Sequence, residues 1–585
     1  MGIWSDFIRS RTGMVLALLL ITLSHRAIAS SGTTCPASSP CTEQGATTAL
    51  DSARAWAQHA QRARRDHTAV EAWVRCATDA YRALDADDAA VRDSASALAT
   101  ACTTGFLLRH TGGSPHTFSQ GATTFGATTL DVEFRGLSPS LQPPLRVILA
   151  DRVPLQLYGG ERHVQPGFGV PLAVLTPRCT QAPLCQLLPP EGVFRGATAW
   201  IEGDGSDRPH LVFGNPLTTP ALIRGRHAYP LAIDTSAPYA WGARKSKLNR
   251  LGILGLFGGK EVGRRAGLYL LEDYDPHKQP LVMIHGLGSS PLVWARLSNA
   301  VWGDPDLRRR FQVWHLVYRT NAPLLVTRRR VQTYLDDAWR ILDPEGDDPA
   351  RSGVVLVGHS LGGVVARLLC VDSGDLLWNA AFLAPFRNLQ GDANDLWTVD
   401  QAFHFNAYPG VRRAIFMAAP HRGSPTTTRW FGRLARVIVG RQIPEIQALR
   451  RVARRNPEAV RPELRSTYQR GTVNSISTLQ GTQPVRHAGE ALMPIAGIPY
   501  HTIAGSLPGR PTPTDGVVPL QSAYLDGAAS TLVVPFGHDL QQAPEAIQEV
   551  LRILRLEAGE HPPLVEPTNS RSQEEIHGRA VPSDQ

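Results

Sequence analysis

Ser360 stands in the run VVLVGHSLGGVVARLLC, Val354 to Cys370, and its surroundings decide whether its hydroxyl can act as a nucleophile. Four apolar residues, Val354 to Val357, read as a buried strand; after the turn, Val364, Val365, Leu368 and Leu369 recur at helical spacing. A strand that breaks sharply into a helix at Gly-x-Ser-x-Gly presents its serine on a strained turn. Gly358 and Gly362 are needed there because neighbouring backbone leaves no room for Cβ atoms. The pentapeptide is a weak signal by itself. A serine hydroxyl is a poor nucleophile at neutral pH and needs a base within hydrogen-bond reach. Histidine suits that task because its pKa lies near neutrality. A carboxylate must then hold the imidazole in the right tautomer and stabilise its charged form.

Two loops offer those partners. PTPTDGVVPLQSA puts Asp515 in a turn-rich loop just beyond the strand run YHTIAG, and TLVVPFGHDL puts His538 just beyond the next and last strand run. Asp515-Gly516 alone is an ordinary turn signal. The argument rests on both residues falling at the carboxyl ends of successive strands, where open α/β sheets carry their sites. Asp372 and Asp375, after the helix that follows Ser360, are alternative acids; Asp539 adjoins His538 but points the wrong way along the chain to orient its ring. Negative charge developing on a carbonyl oxygen needs two preorganised donors. One is the backbone N–H of Leu361; the other is assigned to the N–H of Leu287, in the loop after the strand run of LVMIHGLGSSPLVW. His285, which opens that loop, reads as structural, shaping it through side-chain hydrogen bonds.

The elements that must position these residues follow from about residue 267 onward. Strand runs LYLLE, PLVMIH, FQVWHLVY, GVVLVGH, RRAIFMAA, YHTIAG and STLVVPF alternate with helical stretches, notably Thr327 to Leu342, Leu361 to Cys370 and Ala543 to Leu556. That alternation predicts a mostly parallel sheet with helices on both faces. Two connections, 371–411 and 425–497, are too long for ordinary loops and are expected to be lid insertions with helices of their own. Leu376 to Phe386, LLWNAAFLAPF, is apolar enough to cover a lipid pocket; core packing of the lid explains it equally well.

Together these segments resemble an α/β-hydrolase of the lipase and serine-esterase type over residues 265–556. The resemblance is carried by HGLGSS, GHSLGG, AAPHRGSP, DGVVP and FGH. AAPHRGSP is similar to the Thr-Pro-His-x-Gly-Ser element of lipases and GPI inositol-deacylase-like proteins, with Ala419 where threonine is usual. The resemblance implies an α/β-hydrolase fold, the triad Ser360, Asp515 and His538, and ester hydrolysis of lipid-like substrates with no metal or organic cofactor. It implies that His421 and Ser424 shape the site and the base of the lid. An acyltransferase, thioesterase or amidase would use the same triad, and a catalytically dead binding protein would keep the fold.

The resemblance does not cover the N-terminal 240 residues of this 585-residue chain. Residues 1–29 read as a signal peptide: Arg9 and Arg11 precede the apolar run Met14 to Leu23, and Ala27-Ile28-Ala29 offers a cleavage site. An uncleaved anchor is the competing reading, and no later stretch looks like a membrane span. Residues 30–115 carry helical periodicity; residues 116–245 hold short strand-like runs and read as a β-rich accessory domain. The hydrolase region is then 246–557, opening with the apolar cluster Leu251 to Phe257, and a polar tail, 558–585, is expected to be disordered. Of the seven cysteines, Cys35 with Cys41, Cys76 with Cys102 and Cys179 with Cys185 would suit three disulfides in an oxidising compartment, leaving Cys370 as a buried core residue. The expected location is therefore the bacterial periplasm or the outside of the cell. Net charge is +9, and Arg429, Arg433, Arg436, Arg441, Arg450, Arg451, Arg454 and Arg455 crowd one segment. With an export signal, nucleic acid is not an expected partner; contact with an anionic lipid surface or a merely solvated helix face are the readings that remain.

Overall fold

Strands buried on both faces of a parallel sheet read as continuous apolar runs. All seven strand runs form one sheet in the computed structural model, which describes residues 43–203, 208–246, 263–423, 443–480 and 482–560. The strands are β1 (Gly267–Leu270), β2 (Gln279–Ile284), β3 (Phe311–Val317), β4 (Val354–His359), β5 (Val411–Met417), β6 (Tyr500–Gly505) and β7 (Ser530–Val534). Their order across the sheet is β1-β3-β2-β4-β5-β6-β7. Only β1 is antiparallel to its neighbour.

Alternate residues serve opposite faces, as the period of two requires. Val282, Ile284, Leu356, Ala414 and Phe416 pack on one side with Val331, Leu335 and Trp339 of helix Leu324–Leu342 and with helix Leu361–Leu368. Leu281, Met283, Val355, Val357, Ile415 and Met417 pack on the other with Leu297 and Val301 of helix Ala295–Gly303 and with Ile547, Val550 and Leu554 of helix Pro544–Glu560. Register matters most for function. Ile284 pairs with Gly358, His359 with Met417, and Met417 with Ile503, so the loops after β2, β4, β5 and β6 leave the sheet at one edge.

Two helix ends differ from expectation. The helix after β4 stops at Leu368 because the Leu369 and Cys370 N–H groups turn to the carbonyls three residues back, at 3.1 and 2.8 Å, which tightens the last turn. The last helix runs on to Glu560, into the start of the expected tail; residues beyond it lie outside the described residues, as do the leader, the Cys35–Cys41 pair, the Leu251–Phe257 cluster and Ser424.

Ahead of this sheet, helices Glu43–Arg62, Asp66–Arg82 and Ala89–Thr111 pack side by side. They lie against a second seven-stranded sheet, ordered edge to edge by strands starting at His116, Leu145, Val170, Val193, His210, Thr128 and Gly121. Val74, Cys76 and Phe106 from the helices share one core with Leu130, Val174 and Phe213 from the strands. Disulfides join Cys76 to Cys102 and Cys179 to Cys185, while Cys370 is a buried free thiol whose pKa burial pushes up. Disulfides persist in oxidising compartments, so this chemistry fits an exported chain. Among the described residues no helix is long and apolar enough to cross a membrane. The Asp273 carboxylate, in the loop after β1, accepts from Ser138, from Ser140 at 2.6 Å and from Arg195 at 3.0 Å, which docks the N-terminal sheet on the sheet β1–β7.

Both long connections carry helices. Leu376–Ala381 and Ala393–Phe403 lie in the first, and Pro444–Arg455, Pro462–Arg470 and Pro484–Ala488 in the described part of the second. They bind each other: the Arg451 guanidinium grips both oxygens of Asp395 at 2.6 Å. In LLWNAAFLAPF, Leu377, Trp378, Ala381 and Phe382 are buried, with the Trp378 and Phe382 rings stacked at 4.3 Å; Leu376 and Leu383 face outward.

Candidate active site

Ser360 occupies the turn between β4 and helix Leu361–Leu368 with φ 54° and ψ −123°, a conformation that non-glycine residues rarely hold. Such a conformation costs of order 1–3 kcal/mol and persists only where the surroundings impose it. Here the Ser360 N–H donates to the Met417 carbonyl at 2.9 Å, and the glycines allow backbone to close in. A Cβ on Gly358 would stand 2.4 Å from the Gly362 carbonyl oxygen, and one on Gly362 would stand 2.1 Å from that of Ile284.

The turn delivers the hydroxyl to His538. Ser360 Oγ lies 2.9 Å from His538 Nε2, and His538 Nδ1 donates to Asp515 Oδ2 at 2.7 Å. Asp515 is itself fixed: its Oδ1 accepts the N–H groups of Val517 and Val518 at 2.8 and 2.6 Å, and its side chain is buried. Residues 178 and 23 positions apart in the chain are thereby joined in one file of hydrogen bonds at the common edge of β4, β6 and β7.

Residues 281–568 match the alpha/beta hydrolase family. This part of the chain has the α/β-hydrolase fold. Among solved structures, it is similar to the mature lipase BlEst2 of Bacillus licheniformis, with 17% identity, 48% of this chain and 94% of that one covered, and a TM-score of 0.26. It is also similar to esterase B from Lactobacillus rhamnosis (14% identity, 50% and 80% covered, TM-score 0.27) and to the metagenomic carboxyl esterase MGS0156 (16% identity, 49% and 78% covered, TM-score 0.27). No curated protein matches the chain.

Around the hydroxyl, the backbone offers free donors. The loop after β2 passes directly over the serine: a methyl on Gly286 would sit 3.0 Å from Ser360 Cβ. Among the described residues no acceptor takes the N–H of Leu287 or of Leu361. Leu361 opens its helix, where the first amides lack intrahelical partners. His285 is buried beneath this loop, its ring stacked on Tyr318 at 4.4 Å and its Nδ1 donating to the Gly286 carbonyl at 3.0 Å. Burial pulls its pKa down to about 4, so it is a neutral brace at physiological pH.

The remaining acids stand elsewhere. Asp372 accepts from the Ala407 N–H at 2.8 Å, Asp375 faces His404 at 3.2 Å, and Asp539 lies 3.4 Å from Gln541 Nε2. His421 is buried against Phe416 with ring centroids 5.1 Å apart, and among the described residues neither ring nitrogen has a partner.

One participant was not singled out in the sequence. His359 precedes the serine, and its Nε2 donates to the His538 carbonyl at 2.7 Å while the two rings lie 5.0 Å apart. Burial, with the neighbouring His538 second, lowers its pKa to about 3. A neutral imidazole is thus fixed as an N–H donor that holds the His538 loop. The only sequence trace is a histidine on a strand whose neighbours are otherwise apolar.

Proposed function

We propose that the protein is an exported serine carboxylic-ester hydrolase, an esterase or lipase that passes through an acyl-enzyme on Ser360. The observation that carries this reading is the unbroken file Asp515–His538–Ser360 at a strained turn. Ser360 Oγ attacks the ester carbonyl carbon while His538 Nε2 takes the hydroxyl proton. Asp515 holds the tautomer that leaves Nε2 free to accept, and its charge offsets that of the imidazolium. The new oxyanion meets the N–H groups of Leu361 and Leu287, donors already in place before charge develops. Collapse of the tetrahedral intermediate breaks the bond to the alcohol oxygen, which leaves with the proton from His538. Water, deprotonated by the same imidazole, then attacks the acyl-enzyme, and the acid departs as the proton returns to Ser360.

A lipid-like acyl group is supported by Leu324, Val364, Leu368, Phe403 and Leu479, which line a cavity of about 70 Å³ against the helix that begins after Ser360. Outward-facing Leu383, in the loop after helix Leu376–Ala381, and Trp397, on helix Ala393–Phe403, 56% and 55% exposed, support peripheral contact with a lipid surface. The Arg-rich capping segment is in part engaged within the protein, through Arg451 with Asp395. The leader expected at 1–29 and the two disulfides support a periplasmic or secreted enzyme. Ser360→Ala should abolish turnover of p-nitrophenyl esters and labelling by a fluorophosphonate probe. Wild-type turnover in that variant would end the assignment.

A further inference from the structure

Arg367 lies on the helix that begins after Ser360 and is 3% exposed, yet no carboxylate pairs with it among the described residues. One guanidinium nitrogen donates to the Gly489 carbonyl at 2.9 Å, and among the described residues its Nε has no acceptor. The acids nearby are committed: Glu490 to Arg486, and Glu445 to both ends of Arg330 at 2.8 and 2.7 Å. Between His421 and Glu445 the chain contains no aspartate or glutamate. Burial and the charge of Arg486 lower the Arg367 pKa to about 10, which still leaves it cationic at neutral pH. Buried charges are ordinarily paired, because an isolated one forfeits its hydration without return.

His421 faces the same cavity and is 2% exposed, and among the described residues neither ring nitrogen has a partner. Its main chain is pinned, the N–H donating to the Ser522 carbonyl at 2.9 Å. Burial, with Arg367 and Arg422 nearby, keeps the ring neutral. A neutral imidazole can still donate one N–H. The other walls are apolar, Val364, Leu368 and Tyr468 among them. Val364, Arg367 and Leu368 stand four, seven and eight residues after Ser360, on one helical face. At 1.5 Å per residue, Arg367 lies about 10 Å along the axis from the serine.

We propose that this cavity is a subsite for an acyl chain ending in a carboxylate, received by Arg367 and His421 while the ester at the other end meets Ser360. The inference rests on the Ser360 reading and adds the substrate class. An unsubstituted fatty acyl chain would fill the apolar walls and leave the guanidinium unpaired. A terminal carboxylate supplies one negative charge and accepts from both the Arg367 Nε–H and the His421 N–H.

The test compares p-nitrophenyl half-esters of dicarboxylic acids, six to ten carbons long, with p-nitrophenyl esters of the matching monocarboxylic acids. The wild type should favour the half-ester in kcat/KM by at least tenfold at its best chain length. In Arg367→Met that preference ratio should fall roughly 30-fold, the scale of a charge-assisted hydrogen bond. Arg367→Lys should restore part of it, and His421→Phe should lower it about fivefold. Tm and fluorophosphonate labelling report whether each variant is folded; loss of an unpaired buried charge should leave the Tm of Arg367→Met at or above that of wild type. A wild-type ratio near one, with the monocarboxylic esters cleaved and Ser360 labelled, would overturn the subsite alone. A ratio that stays the same in Arg367→Met and His421→Phe would do so too. Failure of Ser360 to be labelled, with neither ester cleaved, would overturn the Ser360 reading and the subsite with it.

Discussion

Asp515→Asn separates the orienting role of the carboxylate from its place in the fold. Asp515 Oδ1 accepts two backbone N–H groups, from Val517 and Val518, at 2.8 and 2.6 Å. An asparagine at 515 must put its oxygen there, since the alternative sets an amide NH2 against two N–H donors in a buried site. Its NH2 then faces His538 Nδ1, where Oδ2 stood at 2.7 Å. A donor at that position forces Nδ1 to accept, so the imidazole proton moves to Nε2, the atom 2.9 Å from Ser360 Oγ. The base is left in the wrong tautomer. In Ser-His-Asp hydrolases the same reversal lowers kcat by about 10⁴, which corresponds to about 5 kcal/mol in the barrier. The assay is steady-state hydrolysis of p-nitrophenyl butyrate, with the Tm measured alongside. Activity should fall by about four orders of magnitude while the Tm stays close to that of the wild type. Asp515→Ala instead abandons both N–H groups at about 1–3 kcal/mol each, so that variant should also lose Tm. An Asp515→Asn enzyme with more than a tenth of wild-type kcat would refute the reasoning. If Asp372→Asn abolished activity in the same assay, the acid would have been misassigned.

Gly362→Ala places a methyl 2.1 Å from the Ile284 carbonyl oxygen and 2.6 Å from that of His285, both in backbone that cannot yield. It should abolish soluble expression or fluorophosphonate labelling, whereas Gly374→Ala, with φ +46° and open space, should cost about 1–2 kcal/mol and keep activity. Acid should destabilise the fold before carboxylates titrate. His285, His315, His359 and His421 are buried with folded pKa values pulled down, to about 4, 3 and 3 for the first three, by loss of hydration. The unfolded imidazoles take protons below about pH 6.5 while the folded ones do not, so stability is full above that pH and falls below it, approaching about 5 kcal/mol per pH unit for four groups. Urea unfolding at pH 5.5 and 4.5 measures the slope; a flat profile would show that these rings are not held neutral. Opening Cys76–Cys102, which spans 26 residues, with paired alanine substitutions should cost about 3.5 kcal/mol on the chain-entropy account and lower the thermal midpoint of the N-terminal helices.

What could be read from the sequence follows from how each feature is encoded. The strands of the hydrolase sheet are legible because Val354–His359 or Tyr500–Gly505 must be buried along their whole length, so their apolar runs are uninterrupted. The edge strand Ser530–Val534 still shows alternation, and it borders the loop that carries His538. In the N-terminal sheet, Val193–Glu202 is harder to read: Arg195 and Gly196 interrupt the run early, and Arg195 reaches Asp273 rather than filling a core. Ser360, Asp515 and His538 are legible as candidates because they fall at a turn and at the carboxyl ends of successive strands, and the structure joins them by hydrogen bonds. The Arg367–His421 cavity is not, because its walls come from separate stretches and the absence of a paired acid among the described residues is something no local pattern records.

His359 marks the boundary between the two cases. Its position beside the serine is plain in GHSLGG, but its hydrogen bond runs to a carbonyl 179 residues away, a contact made only after β7 has docked. Neighbouring strands fix that distance: His359 pairs with Met417, Met417 with Ile503, and the β6–β7 ladder carries the same register to Gly505 opposite Val534. The sheet edge therefore sets the height at which the loops of Ser360, Asp515 and His538 emerge, while His359 ties the last loop back to the first. A motif names the candidate atoms; the ladder of strand pairings brings them to within 3 Å of each other.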